Sequence, residues 1–289
     1  MATSISFVVI TETNTRDCGA ILEVLKLTKK PTDEVIVLTR SDRASEINMV
    51  DQSWFRVVGI SDASIFTLRA WIPTLSRNDW LVVLEEHSLV TIATLDAIRS
   101  TIQNQTDIDL IVFLGKNLTS VGPWGWANFL HTFALIWAPL DSSPPFSCVT
   151  AAIVRRAALE TEAALREGEW ELQTIPGIFA RGRIAYSNDI YIDHNRPLNA
   201  ISGVLIAFHN ARAGAGIGRS LERSIKSTLS EGWNAFIQRP PLLARALAAR
   251  WSEVPPGTLW RMHIIGLVHL IGNVVGVFFG PGKSAHKID

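Results

Sequence analysis

Residues 80–87 read Trp80-Leu81-Val82-Val83-Leu84-Glu85-Glu86-His87. A short unbroken apolar run bounded by polar residues is the pattern of a strand buried on both faces. This one stops at two carboxylates and an imidazole, and charge at the end of a buried strand is costly unless something compensates it. Similar runs lie upstream at 5–10 (Ile-Ser-Phe-Val-Val-Ile) and 34–38 (Glu-Val-Ile-Val-Leu), more faintly at 55–58, and downstream at 110–114. Helical patterns separate them: 15–28, closed by Pro31; 65–75, with an N-cap expected at Ser61 or Asp62; and an amphipathic stretch over 91–103. Strands alternating with helices at this spacing predict an α/β fold, a mostly parallel central sheet with helices on both faces. Such sheets bind ligands at the carboxyl ends of their strands. The polar clusters 11–14 and 85–87 both fall there.

Beyond 114 the chain changes character. Gly122-Pro123-Trp124-Gly125-Trp126 opens an aromatic helical stretch to 137, and Pro139, Pro144 and Pro145 mark a loop. Residues 155–166 and 169–180 read as helices, with short strands at 184–186 and 190–192 before His194. From 199 onward strand signals vanish. Residues 262–279 are apolar but for His263, His269, Asn273 and three glycines, at the lower length limit for a spanning helix. An interfacial or re-entrant segment is preferred, a transmembrane helix is second, and a buried core hairpin stays open. The expected domains are 1–198, a ligand-binding and catalytic body, and 199–289, a helical membrane-associating region.

Charge supports that division. The chain has 27 basic and 27 acidic residues, so its total does not suggest a nucleic-acid binder. Residues 199–289, however, hold ten Lys/Arg against four Asp/Glu. A basic, apolar C-terminal third suits a membrane-facing platform, with an ordinary basic helical subdomain as the alternative. Cys18 and Cys148 lack metal-ligand spacing and are expected to be free thiols in a reducing compartment. The first apolar run is too short for a signal-peptide core and has no basic leader, so cytoplasmic residence at the inner face of the cell membrane is expected.

Glu85-Glu86-His87 admits two readings from the residues alone. A divalent cation takes oxygen ligands and bridges to substrate phosphates; a solvated strand-to-helix loop needs neither. No Gly-rich phosphate loop follows a strand, because Gly214-Ala215-Gly216-Ile217-Gly218 lacks one, and no Gly-X-Ser-X-Gly is present.

The order of elements and motifs resembles the family 2 glycosyltransferases, which have the GT-A fold. The matching stretches are the first strand ending in Thr11-Glu12-Thr13-Asn14 and the second strand at 33–38. After these come Leu68-Arg69-Ala70 on a helix and the acidic strand end, similar to the Glu-Asp-His form of the family's metal motif. Trp126-Ala127-Asn128, Gly168-Glu169-Trp170-Glu171 and the late His194 extend the resemblance over nearly the whole chain. It implies nucleotide contacts from Thr11, Glu12, Thr13, Thr39 and Arg69, and Mn2+ or Mg2+ held by Glu85, Glu86 and His194. It further implies acceptor activation by Glu169 or Glu171, and acceptor-facing positions at His87, Trp124 and Trp126. The implied activity is inverting, metal-dependent transfer of a sugar from a nucleotide-diphosphate sugar to a glycan or lipid-linked acceptor, as in polysaccharide biosynthesis. A homo-oligomer fits as well.

The chain departs from the family pattern at Glu12, at Leu38-Thr39-Arg40-Ser41-Asp42, and in lacking Gln-X-X-Arg-Trp. These departures support an alternative: a catalytically silent GT-A-like scaffold that binds a partner protein or glycan. A nucleotidyltransferase is a weaker third reading, because Thr11-Glu12-Thr13-Asn14 is the opposite of a basic phosphate loop.

Overall fold

The computed structural model describes residues 4–11, 18–47, 53–118, 122–230, 233, 248 and 250–288. The chain forms two compact units, one of residues 1–116 and 138–193, the other of 117–137 and 194–289. The second unit therefore takes in 117–137 as well as the C-terminal region.

In the first unit the apolar runs are strands β1 (Ile5–Thr11), β2 (Glu34–Arg40), β3 (Arg56–Ile60) and β4 (Trp80–Glu85). The last of these leads into the two-residue β5 (Ser88–Leu89), and β6 (Leu110–Asn117), β7 (Ala152–Arg155) and β8 (Ile184–His194) complete the sheet. Strand order is β3-β2-β1-β4-β7-β6-β8-β5. The first four pair in parallel, whereas β7 runs antiparallel to both β4 and β6. Helices α1 (Cys18–Thr28), α2 (Ile65–Ala70), α3 (Ile72–Leu75) and α4 (Ile92–Asn104) alternate with the parallel strands. The expected α/β architecture with a mostly parallel sheet and flanking helices is borne out.

Asp33 ties the sheet's entry together. Its carboxylate accepts from the Ile5 amide (3.1 Å), the Lys30 amide (2.7 Å) and Arg99 on α4 (2.6 Å). Satisfying so many acceptor sites is what makes a buried carboxylate tolerable.

Several local expectations are corrected. The helix over 65–75 is two short helices meeting at Trp71, and its N-cap is Ser64, not Ser61 or Asp62. Asp62 has φ 50°, a left-handed turn conformation, whereas Ser64 is extended and accepts from the Thr67 amide at 3.1 Å. The helix expected over 155–166 is the end of β7 followed by one 3-10 turn, Arg156–Leu159, which Glu160 ends at φ 61°. Over 169–180 a π-turn, Trp170–Thr174, precedes α6 (Ile175–Ala180). Pro176 explains the π-turn: it has no N–H to give the Leu172 carbonyl, and the Ile175 amide reaches back to Trp170 instead. The two short strands near 184–192 are the single strand β8.

In the second unit, α5 (Gly122–Phe133) buries Trp126, Phe129 and Phe133. Helix α7 (Ala200–Ser220) starts at a capping box in which Asn199 and Ser202 bond reciprocally. Helix α8 (Thr258–Phe279) begins after Gly257 (φ 76°) and ends at Gly280 (φ 73°). The two helices pack in parallel through small residues. A Cβ on Gly272 would lie 2.5 Å from the Phe208 carbonyl, and one on Gly276 would lie 2.3 Å from that of Arg212. Ala211 and Ala215 complete this small-residue seam. Arg212 and Arg219 donate to the carbonyls of Gly280 (3.2 Å) and Val277 (2.7 Å), satisfying acceptors that the helix end leaves open. Most of residues 241–251, a stretch that sets Leu242, Leu243, Leu247 and Trp251 beside Arg245 and Arg250 in the sequence, lies outside the described residues.

Candidate active site at the strand ends

The parallel strands deliver their last residues to one edge of the first unit. Thr11 on β1 is in register with Thr39 on β2, and Ile10 with Glu85 on β4. The Glu86 amide donates to the Ile10 carbonyl (3.1 Å), which holds the acidic turn beside the end of β1. Thr11 and Thr39 are fully buried, and their hydroxyls have no hydrogen-bond partner among the described residues. Buried hydroxyls are normally paired, so two orphans side by side mark a place where an external donor or acceptor fits. Glu12 and Thr13 lie outside the described residues.

Behind this edge is a buried ionic cluster. Arg69 on α2 donates through Nη2 to Glu85 Oε1 and through Nη1 to Glu171 Oε1 (2.5 Å). All three side chains are 5–7% exposed. Burial opposes the charge on Arg69, but Glu85 and Glu171 outweigh it and hold its pKa above the ordinary value. For Glu171 burial dominates over the attraction of Arg69, and Glu85's negative charge adds to it, so its proton affinity is raised. The geometry agrees, since Glu171 Oε2 has no hydrogen-bond partner among the described residues. His87 Nε2 lies 3.5 Å from Glu85 Oε2. The Cys148 thiol nearby is pushed up by burial and by Glu85's charge, which keeps it protonated and unreactive.

The π-turn holds Glu171 in place. Trp170, fully buried, donates from Nε1 to the Val149 carbonyl (2.9 Å), and Glu167 accepts from Ser64 (2.5 Å) and Thr67 (3.3 Å) at the start of α2. The two carriers of the ionic cluster, α2 and the π-turn, are thereby fastened together. No sequence pattern links Arg69 to Glu171, which lies 102 positions away.

The structure thus brings Thr11, Thr39, Glu85, Glu86 and His87 to the strand ends, with Arg69 and Glu171 beneath them. Arg69, expected on the nucleotide, is spent on the two carboxylates. Glu169 sits at the start of the π-turn and pairs with Arg166 (3.4 Å) on the surface. The remaining three expected residues belong to the second unit. His194 packs there against Phe129 and Phe133. Trp126 is a core residue, 3% exposed, against Phe129 and Trp137, whereas Trp124 meets Trp260 edge-on.

Whether a divalent cation suits these residues turns on the donors. Among the described residues no three His, Cys, Asp or Glu side chains converge as a metal cage. Glu85 is engaged by Arg69, and Glu86 is the second carboxylate of the strand end. Mg2+ is commonly held by one or two carboxylates with substrate phosphates and water supplying the rest. The carboxylates of the strand end match the donor type of that mode, and among the described residues they form no all-protein cage.

No family model matches the sequence, and no curated protein matches it. Similarity appears among solved structures. A mannosyltransferase from Pyrobaculum calidifontis, in complex with GDP-Man and Mn2+, aligns with 95% of this chain and 87% of its own at TM-score 0.58 and 12% identity. S. aureus TarS 1-349 covers 94% of this chain and 91% of its own at TM-score 0.47 and 12% identity. Glucosyl-3-phosphoglycerate synthase from Mycobacterium tuberculosis, with Mn2+, UDP-Glc and phosphoglyceric acid, covers 69% and 75% at 0.42 and 14%. The first of these shows a GT-A-like fold for this chain.

Proposed function

We propose that this protein is a glycosyltransferase, moving a sugar from a nucleotide-diphosphate sugar to a hydroxyl of a glycan or lipid-linked acceptor, with inversion, at the inner face of the cell membrane. The observation that carries the reading is the GT-A-like sheet whose β1, β2 and β4 end together in an acidic turn and two buried hydroxyls without a partner among the described residues. The similar mannosyltransferase was solved with a nucleotide sugar and Mn2+.

In this reading Thr11 and Thr39 bond the nucleoside, and Glu86 would hold Mn2+ or Mg2+. When bound, the cation supplies positive charge to the departing diphosphate. Glu171 is the acceptor-activating base, and Glu169 stays on the surface with Arg166. Its raised proton affinity brings Glu171 closer to the range in which a general base works at neutral pH. Glu171 takes the acceptor hydroxyl proton, the freed oxygen bonds to the anomeric carbon, and the carbon–phosphate-oxygen bond breaks with its electron pair leaving on the diphosphate. Arg69 positions Glu171 and keeps Glu85 compensated in the dry interior.

A second reading, a catalytically silent scaffold, is favoured by the same arginine, because its guanidinium supplies the counter-charge that a cation would otherwise provide. One experiment separates the two. Thermal unfolding with UDP or GDP, with and without Mn2+, is expected to show metal-dependent stabilisation that Glu86→Ala removes. An intact protein with no shift for either nucleotide fits the scaffold and ends the transferase reading.

A further inference from the structure

Helix α8 is mainly apolar, interrupted by Arg261, His263, His269 and Asn273, and only one side of it is covered. Its buried side carries Met262, Ile265, Gly272, Gly276 and Val277. On the opposite side Trp260, Leu267, Ile271, Val274 and Phe278 are 40–58% exposed. At ~100° per residue these five fall within one narrow sector, and from Trp260 to Phe278 they run for ~27 Å at ~1.5 Å per residue. Among the described residues α8 is the one helix long and apolar enough to cross a membrane by length and composition. A helix whose exposed side is mainly apolar calls for a second apolar partner, and a contiguous exposed stripe of this kind marks an interaction surface.

The ends of the stripe identify the partner. At the N-terminal end Arg261 lies over the Trp260 ring (4.2 Å from the centroid), with Trp124 stacked edge-on beside it. Beyond the C-terminal end stand Lys283 and Lys287. Within α8 itself Arg261 is the single charged residue, and residues 194–289 hold eleven Lys/Arg against four Asp/Glu. Tryptophan and cations flanking an uncharged apolar stripe are complementary to a bilayer surface carrying anionic headgroups. We propose that α8 docks on anionic lipid, lying along the bilayer with this stripe in the headgroup–acyl boundary and its Gly272–Gly276 side kept on α7. One-sided seating follows from α7, which exposes Asn210, Arg219 and Ser220 and does not offer lipid an apolar face along its whole length. The inference names the surface for the membrane association proposed above and does not depend on the transferase chemistry.

The test is flotation of the intact protein with phosphatidylcholine vesicles, with and without phosphatidylglycerol. The protein is expected to float with the anionic vesicles, less so in high salt, and to be released by an alkaline wash. Leu267→Glu/Ile271→Glu is expected to reduce binding at least ~10-fold, since two apolar side chains lose their burial. The milder Leu267→Gln/Ile271→Gln should lie between it and the parent, and helicity by circular dichroism verifies both folds. Absence of flotation, equal flotation on neutral vesicles, retention after the alkaline wash, or unchanged binding by the glutamate pair would each overturn the proposal. So would a dimer in light scattering that Ile271→Glu splits and that ignores vesicles, which assigns the stripe to a second copy. Nucleotide binding measured without vesicles reports on the transferase reading separately.

Discussion

Replacing Arg69 by methionine keeps most of the side-chain volume and removes the cation that Glu85 and Glu171 share. Breaking a buried ion pair by deleting one partner costs ~3–5 kcal/mol, because the remaining charge is left uncompensated away from water. Here two carboxylates are left. At ~2–4 °C per kcal/mol for a protein of this size class, the unfolding midpoint should fall by ~6–20 °C at pH 7.5. Acid should shrink that loss. Without Arg69 the folded-state proton affinity of Glu171 is raised further, so the folded variant binds a proton that the unfolded chain does not. The corresponding stability is present below the ordinary carboxylate range and disappears as pH rises through the raised folded value. The deficit relative to the parent is therefore largest at neutral pH and smaller at pH 5. Thermal unfolding followed by far-UV circular dichroism at the two pH values measures it, and Arg69→Met/Glu85→Gln/Glu171→Gln should recover most of the loss. A midpoint within ~2 °C of the parent at pH 7.5, or a deficit equal at both pH values, would refute the argument that burial makes this cluster's charge balance decisive.

Thr11→Val replaces a buried hydroxyl that has no partner among the described residues by a methyl group; thermal unfolding should show stability unchanged or up by ~1 kcal/mol, while titration shows weaker nucleotide binding. Glu171→Gln removes a carboxyl whose folded pKa is raised, so the stability that the parent loses with rising pH should not be lost in the variant. In a transfer assay the same change should lower turnover by ~10²–10⁴-fold. Gly276→Leu drives a side chain into the Arg212 carbonyl of α7, and a loss of ~1–3 kcal/mol or more in denaturant unfolding is expected from such overpacking. Ser64→Ala removes the cap of α2 and a partner of Glu167, at ~1–2 kcal/mol in the same assay.

The parallel half of the sheet was legible because both its faces are covered, and the strands must then be short unbroken apolar runs, as at 5–10, 34–38 and 80–84. β7 was not legible. Ala152-Ile153-Val154-Arg155 is followed by Arg-Ala-Ala-Leu, a stretch of good helix formers, and only pairing with β4 and β6, distant in sequence, makes it a strand. Ile184–His194 reads as two strands because polar Ser187, Asn188 and Asp189 interrupt the pattern; Asn188 is used to bond Leu140 in both directions, donating to its carbonyl and accepting from its amide. The acidic strand end and Thr11 could be picked out by position alone. The role of Arg69 could not, since an arginine bound for solvent and one bound for a buried carboxylate look alike until the partner's place is known. Gly272 and Gly276 read as interruptions of an apolar run, and their use as a close seam appears only once α7 is beside them.

The parallel pairing of α7 with α8 has a consequence for biosynthesis. Parallel neighbours cannot be joined by a tight turn, so the surface that receives Gly272 and Gly276 is made about sixty positions before its cover, a non-local contact of the kind that forms late. At ~5–20 residues per second, the Ala- and Gly-rich face of α7 waits roughly 3–12 s during synthesis for α8 to exist. A nascent chain stalled in that interval presents the helix seam uncovered, whereas its sheet residues, complete by 194, are already made. The seam of the second unit therefore depends on uninterrupted translation, and until α8 emerges a chaperone has an uncovered helix face to shield.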